Sequence, residues 1–195
     1  ILDYSKLATG KLRLESREFS PREVVNDTVK LFEARANEKG LQILSNIDQS
    51  LPHIVVGDDF RLRQVLINLL SNAIKFTEQG SIIVSGAVLR KTDDSLKIQF
   101  TVADTGIGIS PEMQSQVFEE FTQADGGISR KFGGTGLGLT IVKKLVELQG
   151  GEISLTSEPN EGTIIRVVIP YSIKETRTAN VDQETHYRIK AGTSI

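Results

Sequence analysis

The chain has 195 residues, 38% of them hydrophobic and 25% charged, the balance of a folded domain of ordinary size and not of a disordered segment. A formal net charge of −2 excludes a broad basic face, so no nucleic-acid partner is expected and any bound anion must be gripped locally. The lack of cysteine excludes disulfides, thiolate metal sites and a thiol nucleophile, which suits a cytoplasmic setting, and no apolar run approaches the roughly 18 residues that span a bilayer.

In chain order, residues 1–7 read as the last turns of a helix that begins mid-pattern, as in an internal piece of a longer protein, and Gly10 breaks it. Leu12 and Leu14 alternate with polar residues through Phe19, a strand signature. Ser20-Pro21-Arg22-Glu23 forms a capping box with proline at the first helical position. Val25, Val29, Phe32 and Ala36 then supply one apolar stripe, and the helix stops at Gly40. A strand follows through Ile43, Ser45 and Ile47, then a loop around Pro52. Asp58 caps a second helix with an apolar face of Leu62, Val65, Leu66, Leu69, Ala73 and Phe76, ended by Gly80.

Strands are predicted over 81–89 and 97–104, joined by the polar loop 90–95. A short helix starts at Ser110-Pro111-Glu112 and reaches about Phe118. Residues 122–135 are glycine-rich with little periodicity, the profile of a functional loop. A third long helix spans 137–149, and strands at 152–157 and 163–170 form the closing hairpin. The divisions expected are 1–9, the end of a helix; 10–172, one domain; and 173–195, a polar linker. Three helices and hairpin-linked strands predict an α+β class: a two-layer α/β sandwich whose mixed sheet is covered on one face by three helices.

Three segments carry chemistry. On the second helix, Asn68, Asn72 and Lys75 share one face, with Gln64 in line. Solvated helix faces favour Glu, Lys and Arg, whereas Asn is a poor helix former whose presence needs another interaction. Two amide carbonyls suit a Mg²⁺ that already shares phosphate oxygens and waters, and Lys75 can neutralise phosphate charge. Asp104-Thr105-Gly106-Ile107-Gly108-Ile109 places a carboxylate at a strand end, followed by glycines that let backbone approach a ligand. Gly133-Gly134-Thr135-Gly136-Leu137-Gly138-Leu139 opens a helix, where free N–H groups make an anion site. A P-loop, a dinucleotide fingerprint and protein-kinase signatures are all absent from the sequence.

These segments together resemble the catalytic ATP-binding domain of sensor histidine kinases, within the Bergerat-fold ATPases that include gyrase, mismatch-repair and heat-shock chaperone ATPases. Residues 64–76, from Gln64 to Phe76, are similar to the family's N box. Residues 104–109 are similar to its first glycine box, Phe118-Glu119-Glu120-Phe121 to its F box, Gly134-Thr135-Gly136-Leu137-Gly138-Leu139 to its second glycine box, and Gly162-Thr163 to the small third one. Order and spacing agree from residue 1 to about 171.

The resemblance implies ATP as substrate, ADP as product and Mg²⁺ as cofactor. It places Asp104 on the adenine amino group, with Ile107, Ile109 and Phe121 as apolar walls and Thr163 at the adenine edge. Asn72 holds Mg²⁺, while Asn68, Lys75 and the neighbouring Phe76 lie along the nucleotide, Asn68 and Lys75 in catalytic positions at the phosphates. Gly106, Gly108, and the run Gly134, Thr135, Gly136, Leu137 and Gly138 give backbone approach. Residues 122–135 resemble the ATP lid, with Arg130 and Lys131 at the γ-phosphate. It further implies transfer to a histidine on a dimerisation hairpin upstream of Ile1, homodimerisation of the parent, and a response-regulator receiver domain in cis or trans, with the tail as its linker. Membrane anchoring of the parent stays open.

Gyrase-like hydrolases place a Glu one turn before the Mg²⁺ ligand, as base for the attacking water; here that position is Asn68, which takes no proton. A non-catalytic nucleotide-binding regulator would show a lost Asp, Asn or glycine, and none is lost. His53 and His186 are the only histidines, and neither is followed by the acidic residue of a phosphoacceptor box, so both read as surface residues.

Overall fold

The computed structural model describes residues 12–119 and 138–173. In chain order the elements are β1 (Arg17–Phe19), α1 (Pro21–Glu38), β2 (Gln42–Ile47), β3 (Val55–Gly57), α2 (Asp59–Phe76), β4 (Ser81–Lys91), β5 (Ser95–Asp104), α3 (Pro111–Gln114), α4 (Gly138–Leu148), β6 (Glu152–Glu158) and β7 (Gly162–Ser172). The strands form one seven-stranded sheet in the order β1-β3-β7-β5-β4-β2, with β6 also on β7. The β2–β4 pair is parallel and the others antiparallel, so the sheet is mixed as expected.

One face of the sheet carries the core. Ile82 and Val84 of β4, Ile98 and Phe100 of β5, and Val167 and Ile169 of β7 are fully buried beneath the helices. The opposite face is open, with Leu44, Ile83 and Leu89 exposed. Helix α2 packs on α1, α4 and β5. That central position explains why Leu70 and Ile74 are buried along with Leu62, Val65, Leu66, Leu69 and Ala73 of the expected stripe, whose last member, Phe76, stays half-buried. Each of these Leu, Ile and Val side chains contributes about 1.5–3 kcal/mol on burial. Phe60 and Ile67 are exposed, and the neighbouring side bearing Gln64, Asn68, Asn72 and Lys75 stays partly open.

The caps follow the sequence closely. Ser20 Oγ accepts from Glu23 N at 3.2 Å, and Asp58 Oδ1 accepts from Arg61 N at 2.9 Å. Asp58 is buried, and its other oxygen accepts from Glu15 N at 2.8 Å. That bond takes the incoming backbone out of the sheet, so the strand expected from Leu12 shrinks to three residues, Arg17–Phe19. Its partner β3 is equally short, and a three-residue strand leaves no periodicity to read. Helix α3 also ends sooner than expected, at Gln114, because residues 115–119 close tight turns such as Glu119 N to Gln116 O at 2.9 Å.

Helix α2 is held at its C-terminus by a residue of α1's end. Lys39 Nζ donates to the carbonyls of Ile74 at 2.6 Å, Thr77 at 3.1 Å and Lys75 at 3.4 Å. A cation there satisfies carbonyls the helix leaves open and complements its dipole. Lys39→Met is expected to lower stability by about 1–2 kcal/mol in urea unfolding, with Lys39→Arg recovering part of the loss. A Met variant with the wild-type midpoint would show that this cap contributes nothing.

Candidate functional site

Four pieces of chain meet at the C-terminal half of α2. The first is α2 itself, whose Asn68, Asn72, Lys75 and Phe76 are all half-buried. Asn68 Nδ2 donates back to Gln64 O at 2.9 Å, which leaves its Oδ1 as the outward-facing group. Lys75 Nζ lies 4.5 Å from the centroid of the Phe76 ring, and partial burial pulls its pKa down.

The second piece is the loop leaving β5. Phe76 O accepts from Ile107 N at 3.2 Å, and a methyl on Gly106 would fall 2.5 Å from that same carbonyl. The loop therefore lies directly on the end of α2, and only glycine permits the approach. Asp104, the last residue of β5, is half-buried, and its carboxylate accepts from the backbone N–H of Gly106 at 2.9 Å. Burial raises its pKa, while the nearby backbone at Gly106 and Thr163 pulls the other way and only partly offsets the rise. Ile107 and Ile109 stand half-buried on either side of Gly108.

The third piece is the β6–β7 hairpin. Asn160 N donates to Ile107 O at 2.8 Å, and Ile109 N donates to Ser157 Oγ at 2.8 Å. Gln114 Nε2 donates to Ile109 O at 2.9 Å and to Ser157 O at 2.7 Å, so α3 also pins the loop. Thr163 is paired with Asp104 in the β5–β7 register and is buried.

The fourth piece is the start of α4. A Cβ added to Gly138 would meet Asn72 Nδ2 at 3.5 Å and the Oδ1 atoms of Asn68 and Asn72 at 3.8 Å. The space in front of both amides is thus kept free by the missing methyl. Thr140 Oγ1 donates to Glu119 O at 2.9 Å, which ties the start of α4 to the chain just before residue 120.

Asn68, Asn72, Lys75, Phe76, Asp104, Gly106, Ile107, Gly108, Ile109, Gly138 and Thr163 are therefore placed in one region of the fold. Phe121, Arg130, Lys131, Gly134, Thr135, Gly136 and Leu137, the lid reading of 122–135, the helix end at 1–9 and nearly all of the 173–195 linker lie outside the described residues. His53 is exposed in the β2–β3 connection, and His186 lies outside the described residues. Sequence reasoning missed Lys39, Gln114 and Ser157, each of which acts on an element distant in sequence. Serine five residues before Gly162 was the one available hint, since a buried hairpin serine needs partners.

Among the described residues no group of three or more His, Cys, Asp or Glu is placed to hold a metal ion. The donors on offer are the neutral carbonyl oxygens of Asn68 and Asn72. These fit a hard cation that arrives already sharing phosphate oxygens, and they do not fit a bare ion held by protein charge.

Known proteins share this fold and family. Residues 57–173 match the family model described as histidine kinase-, DNA gyrase B-, and HSP90-like ATPase. The sensor histidine kinase GacS of Pseudomonas protegens is 44% identical over 84% of this chain, and the signal transduction histidine-protein kinase BarA of Escherichia coli K12 is 45% identical over the same share. The chain spans 18% of the length of each of these two relatives. Among solved structures, full-length ShkA in complex with AMPPNP is similar with a TM-score of 0.76 at 30% identity, over 88% of this chain and 34% of that one. The catalytic domain of histidine kinase ThkA is similar with a TM-score of 0.66 at 30% identity, over 80% of this chain and 95% of that one.

Proposed function

The chain belongs to the histidine kinase-, DNA gyrase B-, and HSP90-like ATPase family, and from that premise we propose that it binds ATP with Mg²⁺ and delivers the γ-phosphoryl group to a histidine on a dimerisation hairpin. The observation that carries this reading is the meeting of Asn68 and Asn72 with Gly138, with Lys75 one turn away. An amide takes no proton, so these residues position phosphates and metal and leave the nucleophile to another segment. Asn72 would hold Mg²⁺, which supplies charge neutralisation at the phosphates when bound. Asn68 would keep the amide carbonyl aimed into the same space, and Lys75 would face the phosphate charge. Asp104 and Thr163 would hold the adenine edge between Ile107 and Ile109. In transfer, an imidazole nitrogen bonds to the γ-phosphorus as the bond to the bridging oxygen breaks, and ADP leaves.

Partners follow from the same reading: the chain's own dimerisation hairpin in a homodimer, and a receiver domain in cis or trans. The relatives GacS and BarA are named as histidine kinases, and a Dictyostelium discoideum relative, 42% identical over 91% of this chain, is named a hybrid signal transduction histidine kinase. No helix among the described residues is long and apolar enough to cross a membrane.

Incubation of the chain with γ-labelled ATP should leave it unlabelled, yet place acid-labile label on an added dimerisation hairpin. Asn72→Ala should cut that transfer at least roughly tenfold, and Lys75→Ala should weaken it less. Stoichiometric label on His53 or His186 of the chain alone would sink the proposal.

A further inference from the structure

Ser157 bonds to two residues of the site, Ile109 and Thr163, and its hydrogen bonds dictate what the Thr163 hydroxyl can offer a ligand. Its Oγ lies 2.8 Å from Ile109 N, 2.7 Å from Gly162 O and 3.0 Å from Thr163 Oγ1. A serine hydroxyl has one proton and two lone pairs. Ile109 N brings its own proton and occupies one lone pair. Gly162 O brings none, so the 2.7 Å contact must contain the proton of Ser157. The remaining contact, to Thr163, then runs from Thr163 to Ser157. Both side chains are buried, at 5% and 8% exposure, so water does not compete for these positions.

The proton of Thr163 is therefore committed, and its oxygen faces the rest of the site as an acceptor alone. Asp104 stands directly across the β5–β7 register, so the two side chains share the helix-covered face. The edge they form consists of acceptors.

We propose that Ser157 is a specificity-determining positioning residue, which locks the Thr163 hydroxyl as an acceptor and so tunes this edge to a purine carrying a 6-amino group. The inference rests on Asp104 and Thr163 meeting the base, as proposed above. At the six position a 6-oxo purine would set an acceptor against the acceptors Asp104 and Thr163, where the 6-amino group brings protons. Freed from Ser157, the Thr163 hydroxyl would turn its proton into the site and reward the 6-oxo group.

The test is calorimetric binding of ADP and inosine diphosphate, which differ at the six position and at the adjoining N1 proton. The wild-type chain should prefer ADP, and Ser157→Ala should narrow that preference by roughly tenfold through a gain for the inosine nucleotide. Ser157→Thr should restore the wild-type ratio. The Ser157→Ala, Thr163→Val double variant should not show the gain, which separates a freed hydroxyl from a loosened pocket. A wild-type ratio in Ser157→Ala overturns the proposal while leaving the nucleotide reading intact. Failure of the wild-type chain to bind ADP overturns both. If Ser157→Ala does not fold, proton NMR of the wild-type chain decides: the Thr163 hydroxyl proton should exchange slowly and show a cross-peak to the Ser157 β protons, and its averaging with water would overturn the assignment.

Discussion

Gly162→Ala should be among the most damaging single-methyl substitutions in this domain, lowering stability by about 3–5 kcal/mol. Two penalties add. Gly162 has φ +104, a region L side chains rarely enter, and an added Cβ would lie 1.9 Å from Asp104 O. The obstructing atom belongs to the backbone of a central strand, so no side-chain rotation relieves it. The same substitution at Gly108, with φ +68 and Cβ 1.9 Å from Glu158 O, attacks the crossing from the other side. Because a domain of this kind has only about 5–15 kcal/mol in total, either variant should unfold at a much lower urea concentration. It should also lose nucleotide affinity, since relief of the clash displaces the strand end that carries Asp104. A midpoint shift worth less than about 1 kcal/mol in both variants would mean that the hairpin and loop are not locked against each other.

Asp104→Ala should remove most nucleotide affinity together with the preference for adenine. A carboxylate facing guanine O6 opposes two acceptors, and an unpaired buried polar group costs about 1–3 kcal/mol. ATP should therefore bind at least roughly tenfold better than GTP to the wild-type chain and no better to the variant. Asp104→Asn offers a donor in the same place and should shift the preference toward the 6-oxo base. Equal binding of ATP and GTP by the wild-type chain would refute the role.

The pH dependence follows from the raised pKa of Asp104, whose cause is burial. A carboxyl raised above its ordinary 3.8 holds its proton more tightly in the folded state than in the unfolded chain. The nucleotide-free domain is thus stabilised by this group at low pH, and loses that contribution as pH rises through the shifted value. The adenine amino group needs the charged form, so ADP affinity should fall as pH drops into that range. Binding there should release a proton, seen as a dependence of the calorimetric heat on buffer ionisation enthalpy. Asp104→Asn should show neither effect.

Much of the site was legible in the chain because its chemistry is local. Asn68, Asn72 and Lys75 share a face by helical spacing alone, and Asp104 with its two glycines announces a backbone that must approach something closely. The caps Ser20 and Asp58 were equally plain, since a cap is satisfied within three residues of itself. The three-residue strands β1 and β3 left no such mark, because a strand that short takes its identity from its neighbours. Gly162 could be read as part of a turn and of the small third glycine box; that its missing methyl admits the backbone of Asp104 depends on a strand nearly sixty residues away. Composition and helical spacing set which residue types were available for nucleotide chemistry and which helix face bore them. Tertiary structure alone decided how they are held: Lys39 reaches across to the end of α2, and Gln114 and Ser157 grip the loop after Asp104. Those are hydrogen bonds between segments far apart in the chain, and the closeness they require is created only when the sheet and its helices pack around Phe100 and the core beside it.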